Sequence, residues 1–136
     1  MITREAHRQG RCSVNVDGFS HGDQPIPAAC RVGPLIVSGG IYGLDPKTGK
    51  IPEDLREQVR LMFDNLSRIV RAAGGALNDI AKVTVYVRDT SARNIINQKW
   101  VEIFPDEASR PARHMQVNLN LPPQLSIQCD FIAYTP

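Results

Sequence analysis

The sequence contains only three cysteines, Cys12, Cys30 and Cys129, and no two of them have the CxxC spacing of a zinc or redox motif. This odd count and wide spacing argue against a disulfide framework and against a cysteine metal site, and the three read as reduced, small core residues. Long apolar runs are missing as well. No stretch approaches the roughly 20 residues needed to cross a bilayer, so no membrane segment is expected. Nor is charge of one sign in excess: 16 Lys and Arg face 14 Asp and Glu, a formal +2, spread along the chain. Such a weak field, with no aromatic-basic stripe, argues against nucleic acid as a partner. The stretch MITREAHRQGRC lacks the apolar core and cleavage site of a secretory signal, and a cytoplasmic location is expected.

What is present fits one domain over residues 1–136, with 42% hydrophobic and 22% charged residues and no internal repeat. Residues 1–27 combine a short strand around Cys12 to Val16 with the turn-rich loop GFSHGDQPIP. Ala29 to Val32 and Leu35 to Gly40 are β-type runs separated by the hairpin signal Gly33-Pro34. From Pro52 the period changes. Leu55, Val59, Met62, Phe63, Leu66, Ile69, Val70 and Ala73 recur at steps of three and four, which predicts a long amphipathic helix ending at Gly74-Gly75. Val83, Val85 and Val87 then alternate with polar residues as in a strand. A second helix over Ala92 to Phe104 places Ile96, Trp100, Ile103 and Phe104 on one stripe, and two strands follow, about Arg113 to Leu119 and Leu125 to Ala133.

The order β-β-β-α-β-α-β-β implies an α+β domain whose mixed sheet carries both helices on one face. The other face is then bare. Met115, Val117 and Leu119 on one strand and Ile132 on the last are expected to make it partly apolar, and a homo-oligomer with a binding site at the subunit seam is expected to cover it.

Several segments carry a family resemblance: VGPLIVSGGI followed by DPKTGKIPED, VRAAGGALNDIAKVTVYVRD, the NxxWxxIF of Asn97 to Phe104, RPAR, and the LPP…IQCDFIAY ending. In these the chain resembles the RidA/YjgF family of small enamine/imine deaminases from about Ala29 to Pro136, with RPAR and the following strands the most specific part. The resemblance implies a chorismate-mutase-like fold with a six-stranded sheet, assembled as a homotrimer with three inter-subunit clefts, and it implies no cofactor and no metal. It assigns the substrate carboxylate to Arg113, whose planar guanidinium offers paired donors that lysine lacks. Ser38 and Gly39 support the same group through their backbone, and Asn97 matches the family asparagine.

Three positions depart from the family pattern. Gln128 stands where imino-acid hydrolases carry a glutamate; it can position water but cannot take its proton. Ile26 falls near an expected tyrosine, and Met115 replaces a cysteine. Anion binding is thus retained while the acid/base equipment is altered. His21, Asp130 and, less suitably, His114 are candidates to take over, with imidazole chemically the best suited near neutral pH. The reading is a deaminase hydrolysing a carboxylate-bearing enamine or imine, with Arg113 and Gln128 at its centre. Its substrate is either a small 2-aminoacrylate-like acid or a bulkier, aminomuconate-like one. The alternative is a non-catalytic trimer that binds a keto or amino acid, and the family's older description as a ribonuclease ranks last.

Overall fold

The computed structural model describes residues 10–136; residues 1–9, the start of the N-terminal stretch read above, lie outside the described residues. Among the described residues, six strands and two α-helices follow in the expected order. They are β1 Arg11–Val14, β2 Ala29–Val32, β3 Leu35–Ser38, α1 Leu55–Ala72, β4 Ile80–Val87, α2 Arg93–Ile103, β5 Ala112–Val117 and β6 Ile127–Tyr134. No helix among the described residues is long and apolar enough to cross a membrane.

The first helix forms where apolar spacing and end signals agree. Asp54 caps it by accepting the Glu57 N–H at 3.1 Å, and Val59, Met62, Phe63, Leu66, Ile69 and Val70 form its buried stripe. It stops at Gly74, whose φ of +90° is disfavoured for side chains with a Cβ. Burying a residue such as Phe63 contributes about 1.5–3 kcal/mol, so packing rather than propensity holds this helix on the sheet.

Strand order across the sheet is β1-β2-β3-β6-β4-β5. All neighbours are antiparallel except β4 and β5, which run parallel because the α2 crossover joins them. Consecutive β5 and β6, linked through Leu121-Pro122-Pro123, are therefore not partners. Strand β4 lies between them and β5 is left as an edge.

The register divides the faces. Val83, Val85 and Val87 of β4 and Cys129, Phe131 and Ala133 of β6 lie in the core under the helices. Arg113 opposes Val83 and Met115 opposes Val85, so both belong to the helix side. This corrects the expectation that Met115 helps form the bare face: Met115 packs against the core, while Val117 and Leu119 are exposed beyond the cover of the helices. Ile132 does lie on the bare face, where it is joined by Val32, Leu35 and Tyr134. Each of these four is between 41% and 57% exposed, an apolar area of the kind that marks interaction surfaces. Of the cysteines only Cys129 is buried, and burial pushes its thiol pKa up; Cys12 and Cys30 are half-buried.

One buried charge ties the fold together. Arg31 is 7% exposed and faces the helix side of β2. It donates to the carbonyls of Gly33 (2.8 Å), Ala73 (2.8 Å) and Thr135 (3.2 Å), linking the β2–β3 turn, the C-terminal end of α1 and the chain terminus. A Cβ on Gly74 would sit 2.8 Å from its Nη1 atom, a second reason for glycine there.

Candidate functional site

Arg113 is the second residue of edge strand β5, and the adjacent α2 presents Asn97 and Trp100 to it from one face at i, i+3 spacing. Its Nη2 donates to Asn97 Oδ1 at 2.7 Å, and its Cζ lies 4.9 Å from the Trp100 ring centroid, within cation–π range. Its Nη1 is buried and has no hydrogen-bond partner among the described residues. Burial, and secondarily the charge of Arg93, hold its pKa below the ordinary arginine value, although a guanidinium remains protonated. The carboxylates that could have made it a structural ion pair are engaged elsewhere. Asp130 accepts from the Tyr86 hydroxyl at 3.3 Å, and Glu102 pairs with Lys99 at 3.4 Å. A desolvated cation with an unspent donor and, among the described residues, no carboxylate partner is a corner suited to an anion.

A second region lies around Gln128. A cavity of about 410 Å³ is lined by His21, Ile26, Gly40, Tyr42 and Gln128 among others. Gln128 opposes Tyr86 and projects from the bare face. A Cβ on Gly40 would come within 2.4 Å of the Gln128 Nε2, so glycine is what lets this amide lie against the backbone. His21 Nε2 donates to the Gly40 carbonyl at 2.7 Å, and its Nδ1 is buried with no hydrogen-bond partner among the described residues. The ring packs edge-on against Phe19 and Tyr42.

The remaining sequence candidates separate clearly. Asn97 adjoins Arg113, and Met115 follows it on the same side of β5. Ile26 is 53% exposed beside the cavity that His21 and Gln128 share. The expected backbone support is engaged within the chain itself: Gly39 N–H donates to the Ala28 carbonyl at 3.0 Å, so that amide is not free for a carboxylate. The Ser38 hydroxyl donates to the Gly39 carbonyl at 2.8 Å and accepts the Phe131 N–H at 2.9 Å. Asp130 lies outside the cavity lining, its pKa raised by desolvation and drawn back by Tyr86 and Lys82. His114 opposes Thr84, as Asp130 does, and is exposed on the bare face.

Arg113 and Gln128 thus project from opposite faces of one sheet, with β4 between their strands. Within a single chain they cannot meet the same small molecule. Sequence reasoning assigned Trp100 to the core alone. It is buried, but its ring also carries the guanidinium, and the NxxW spacing of Asn97 and Trp100 was the available signal. Gln24 and Gln124, which also line the cavity, had no such signal.

A mixed six-stranded sheet covered by two helices on one side, with an arginine corner at its parallel edge, defines a small α+β domain with a candidate anion site. A family model described as Endoribonuclease L-PSP matches residues 24–135, and the chain belongs to this family, the RidA/YjgF family. It is 36% identical over 111 residues to a RutC family protein of Pyrococcus horikoshii, covering 81% of this chain and 86% of that protein. It is 35% identical over 110 residues to the 2-iminobutanoate/2-iminopropanoate deaminase of Escherichia coli, covering 80% and 86%. Among solved structures it is similar to the YjgF gene product of E. coli (TM-score 0.82, 29% identity, covering 90% of this chain and 98% of that one). It is also similar to E. coli TdcF with bound serine (TM-score 0.83, 26% identity, 92% and 99%).

Proposed function

We propose that the chain is a cofactor-independent deaminase that hydrolyses a carboxylate-bearing enamine or imine to a carbonyl compound and ammonia, in clefts between copies of a homotrimer. The observation that carries this reading is the half-desolvated Arg113, without a carboxylate partner among the described residues and held by Asn97 and Trp100 with one buried nitrogen unspent. Support for the chemistry comes from the relatives named as 2-iminobutanoate/2-iminopropanoate deaminases. Support for a shared cleft comes from the placement of Arg113 and Gln128 on opposite faces, together with the exposed apolar residues on the bare face.

In this mechanism Arg113 of one copy grips the substrate carboxylate through parallel N–H donors, and the C=N carbon lies over Gln128 and Gly40 of its neighbour. Gln128 holds a water. Its oxygen adds to the C=N carbon while the nitrogen gains a proton, and the carbinolamine collapses, breaking the C–N bond to give the carbonyl and ammonia. Because Gln128 takes no proton, rate enhancement rests on anchoring and on placement of the water. An imine is already reactive toward water, so proximity alone gives useful acceleration. The second reading, a non-catalytic binder of keto acids, is favoured by one observation, the amide at position 128.

Imino acids generated freshly by an amino-acid oxidase, with ammonia release and imine loss followed over the uncatalysed reaction, test the proposal. Acceleration that vanishes in Arg113→Ala supports it. No acceleration, together with tight keto-acid binding, leaves the binder.

A further inference from the structure

The segment from Leu121 to Ser126 contains two consecutive prolines and no regular structure, yet two side chains fasten it at five backbone groups. Arg88 donates to the carbonyls of Leu121 (3.0 Å), Pro122 (2.7 Å) and Leu125 (2.8 Å). Gln58, 1% exposed on α1, donates to the Gln124 carbonyl at 3.1 Å and accepts the Ser126 N–H at 2.9 Å. This segment supplies Pro122, Gln124 and Leu125 to the wall of the Gln128 cavity. The wall is therefore preformed, which reduces the ordering a ligand must impose.

The chemistry of that lining is one-sided. Ile26, Ile51, Pro122 and Leu125 give it apolar surface, Gln24, Gln124 and Gln128 give it amides, His21 and Tyr42 add an imidazole and a phenol, and no Asp, Glu, Lys or Arg is among the described residues that line it. A volume of about 410 Å³ lies within the range of pockets that enclose ligands much larger than a two- or three-carbon acid. A second carboxylate or an ammonium on the ligand would lose its hydration there and meet no Asp, Glu, Lys or Arg of the same copy. A hydrocarbon branch or ring meets preformed apolar walls.

Resting on the reading of this cavity as the substrate cleft, we propose that it selects 2-imino or enamine acids whose side chain is apolar and branched or ring-sized, over pyruvate-sized and dicarboxylic ones. The bond changes are those of the hydrolysis above; only the substituent on the reacting carbon is specified.

Two parallel measurements test this. The first is calorimetric binding of pyruvate, 4-methyl-2-oxopentanoate, phenylpyruvate and 2-oxoglutarate. The second is kcat/KM for imines generated from alanine, leucine, phenylalanine and glutamate. The expected order places the branched and aromatic acids roughly tenfold or more ahead of pyruvate, with 2-oxoglutarate last. Ile26→Asn and Ile51→Asn should narrow that gap to about threefold or less, with the circular dichroism spectrum unchanged. Pyruvate or 2-oxoglutarate binding as tightly as the branched acids, absence of binding by all four, or an order indifferent to both variants overturns the inference. The two readings fail separately. The expected binding order without turnover removes the deaminase and leaves the selectivity, whereas turnover with a flat order removes the selectivity and leaves the deaminase.

Discussion

Replacing Arg113 by methionine separates a binding arginine from a structural one, because the two roles predict opposite changes in stability and affinity. In the free protein the substitution loses the bond to Asn97, worth about 1.5–3 kcal/mol, and the contact with Trp100, about 0.5–1 kcal/mol. It also removes a buried, unpartnered Nη1, whose desolvation costs about 1–3 kcal/mol, and relieves the repulsion from Arg93. The methionine keeps a sulfur contact with the indole, and water can reach the vacated Asn97. The expected net change in unfolding free energy is within about 1 kcal/mol of zero, a melting shift of a few degrees at most. Binding of a 2-oxo acid should suffer far more. Two charge-assisted bonds to the carboxylate amount to about 3–6 kcal/mol, a loss of roughly 10²- to 10⁴-fold in affinity. Arg113→Lys, which keeps the charge but not the paired donors, should fall between. Calorimetric titration paired with urea unfolding gives both numbers on the same preparation. An affinity within threefold of the parent, or a stability loss above about 3 kcal/mol with affinity intact, would show that Arg113 is a structural residue and refute the reasoning.

Gln128→Glu places a base beside Gly40 and should raise imine hydrolysis about 10²-fold or more. Hydrolysis no faster than the parent's counts against Gln128 as the residue that places the water. Mixing Arg113→Ala with Gln128→Ala chains, after dissociation and reassembly, should restore sites that neither variant has alone, and ammonia release that stays at the level of the separate variants denies a shared cleft. Arg31→Ala leaves three carbonyls without their donor and should lower stability by about 3 kcal/mol, read from urea midpoints against Arg113→Met. Burial raises the Asp130 pKa in the folded state, so its proton favours folding at low pH and that contribution is lost as pH rises through the folded value. Asp130→Asn should therefore gain stability over the parent as pH climbs from the ordinary carboxylate range toward neutrality, and a widening deficit over that interval contradicts the assignment.

Much of the site was legible because its determinants are local. The i, i+3 spacing of Asn97 and Trp100, the Arg-Pro-Ala-Arg segment before a strand, and the paired glycines after Ser38 are short-range patterns, and each sits at one of the two candidate regions. Their use was less legible. The Ser38-Gly39 segment looked like an anion cradle, yet Ala28 and Phe131 already occupy its groups, a fact that depends on strand pairing with distant residues. Met115 looked like part of a bare face because alternation along one strand says which residues share a side but not which side faces the helices.

Periodicity in the sequence by itself determined the number, kind and order of elements, because alternating and three-to-four-residue repeats reflect which atoms each segment must remove from water. The Gly74-Gly75 stop and the capping aspartate set the end points of α1 in the same local way. Only the tertiary structure decided that β4 separates β5 from β6, that Arg31 is satisfied by three carbonyls rather than a carboxylate, and that Arg113 and Gln128 face opposite ways. Those outcomes depend on register and on packing between residues far apart in the chain, which no short window of sequence encodes.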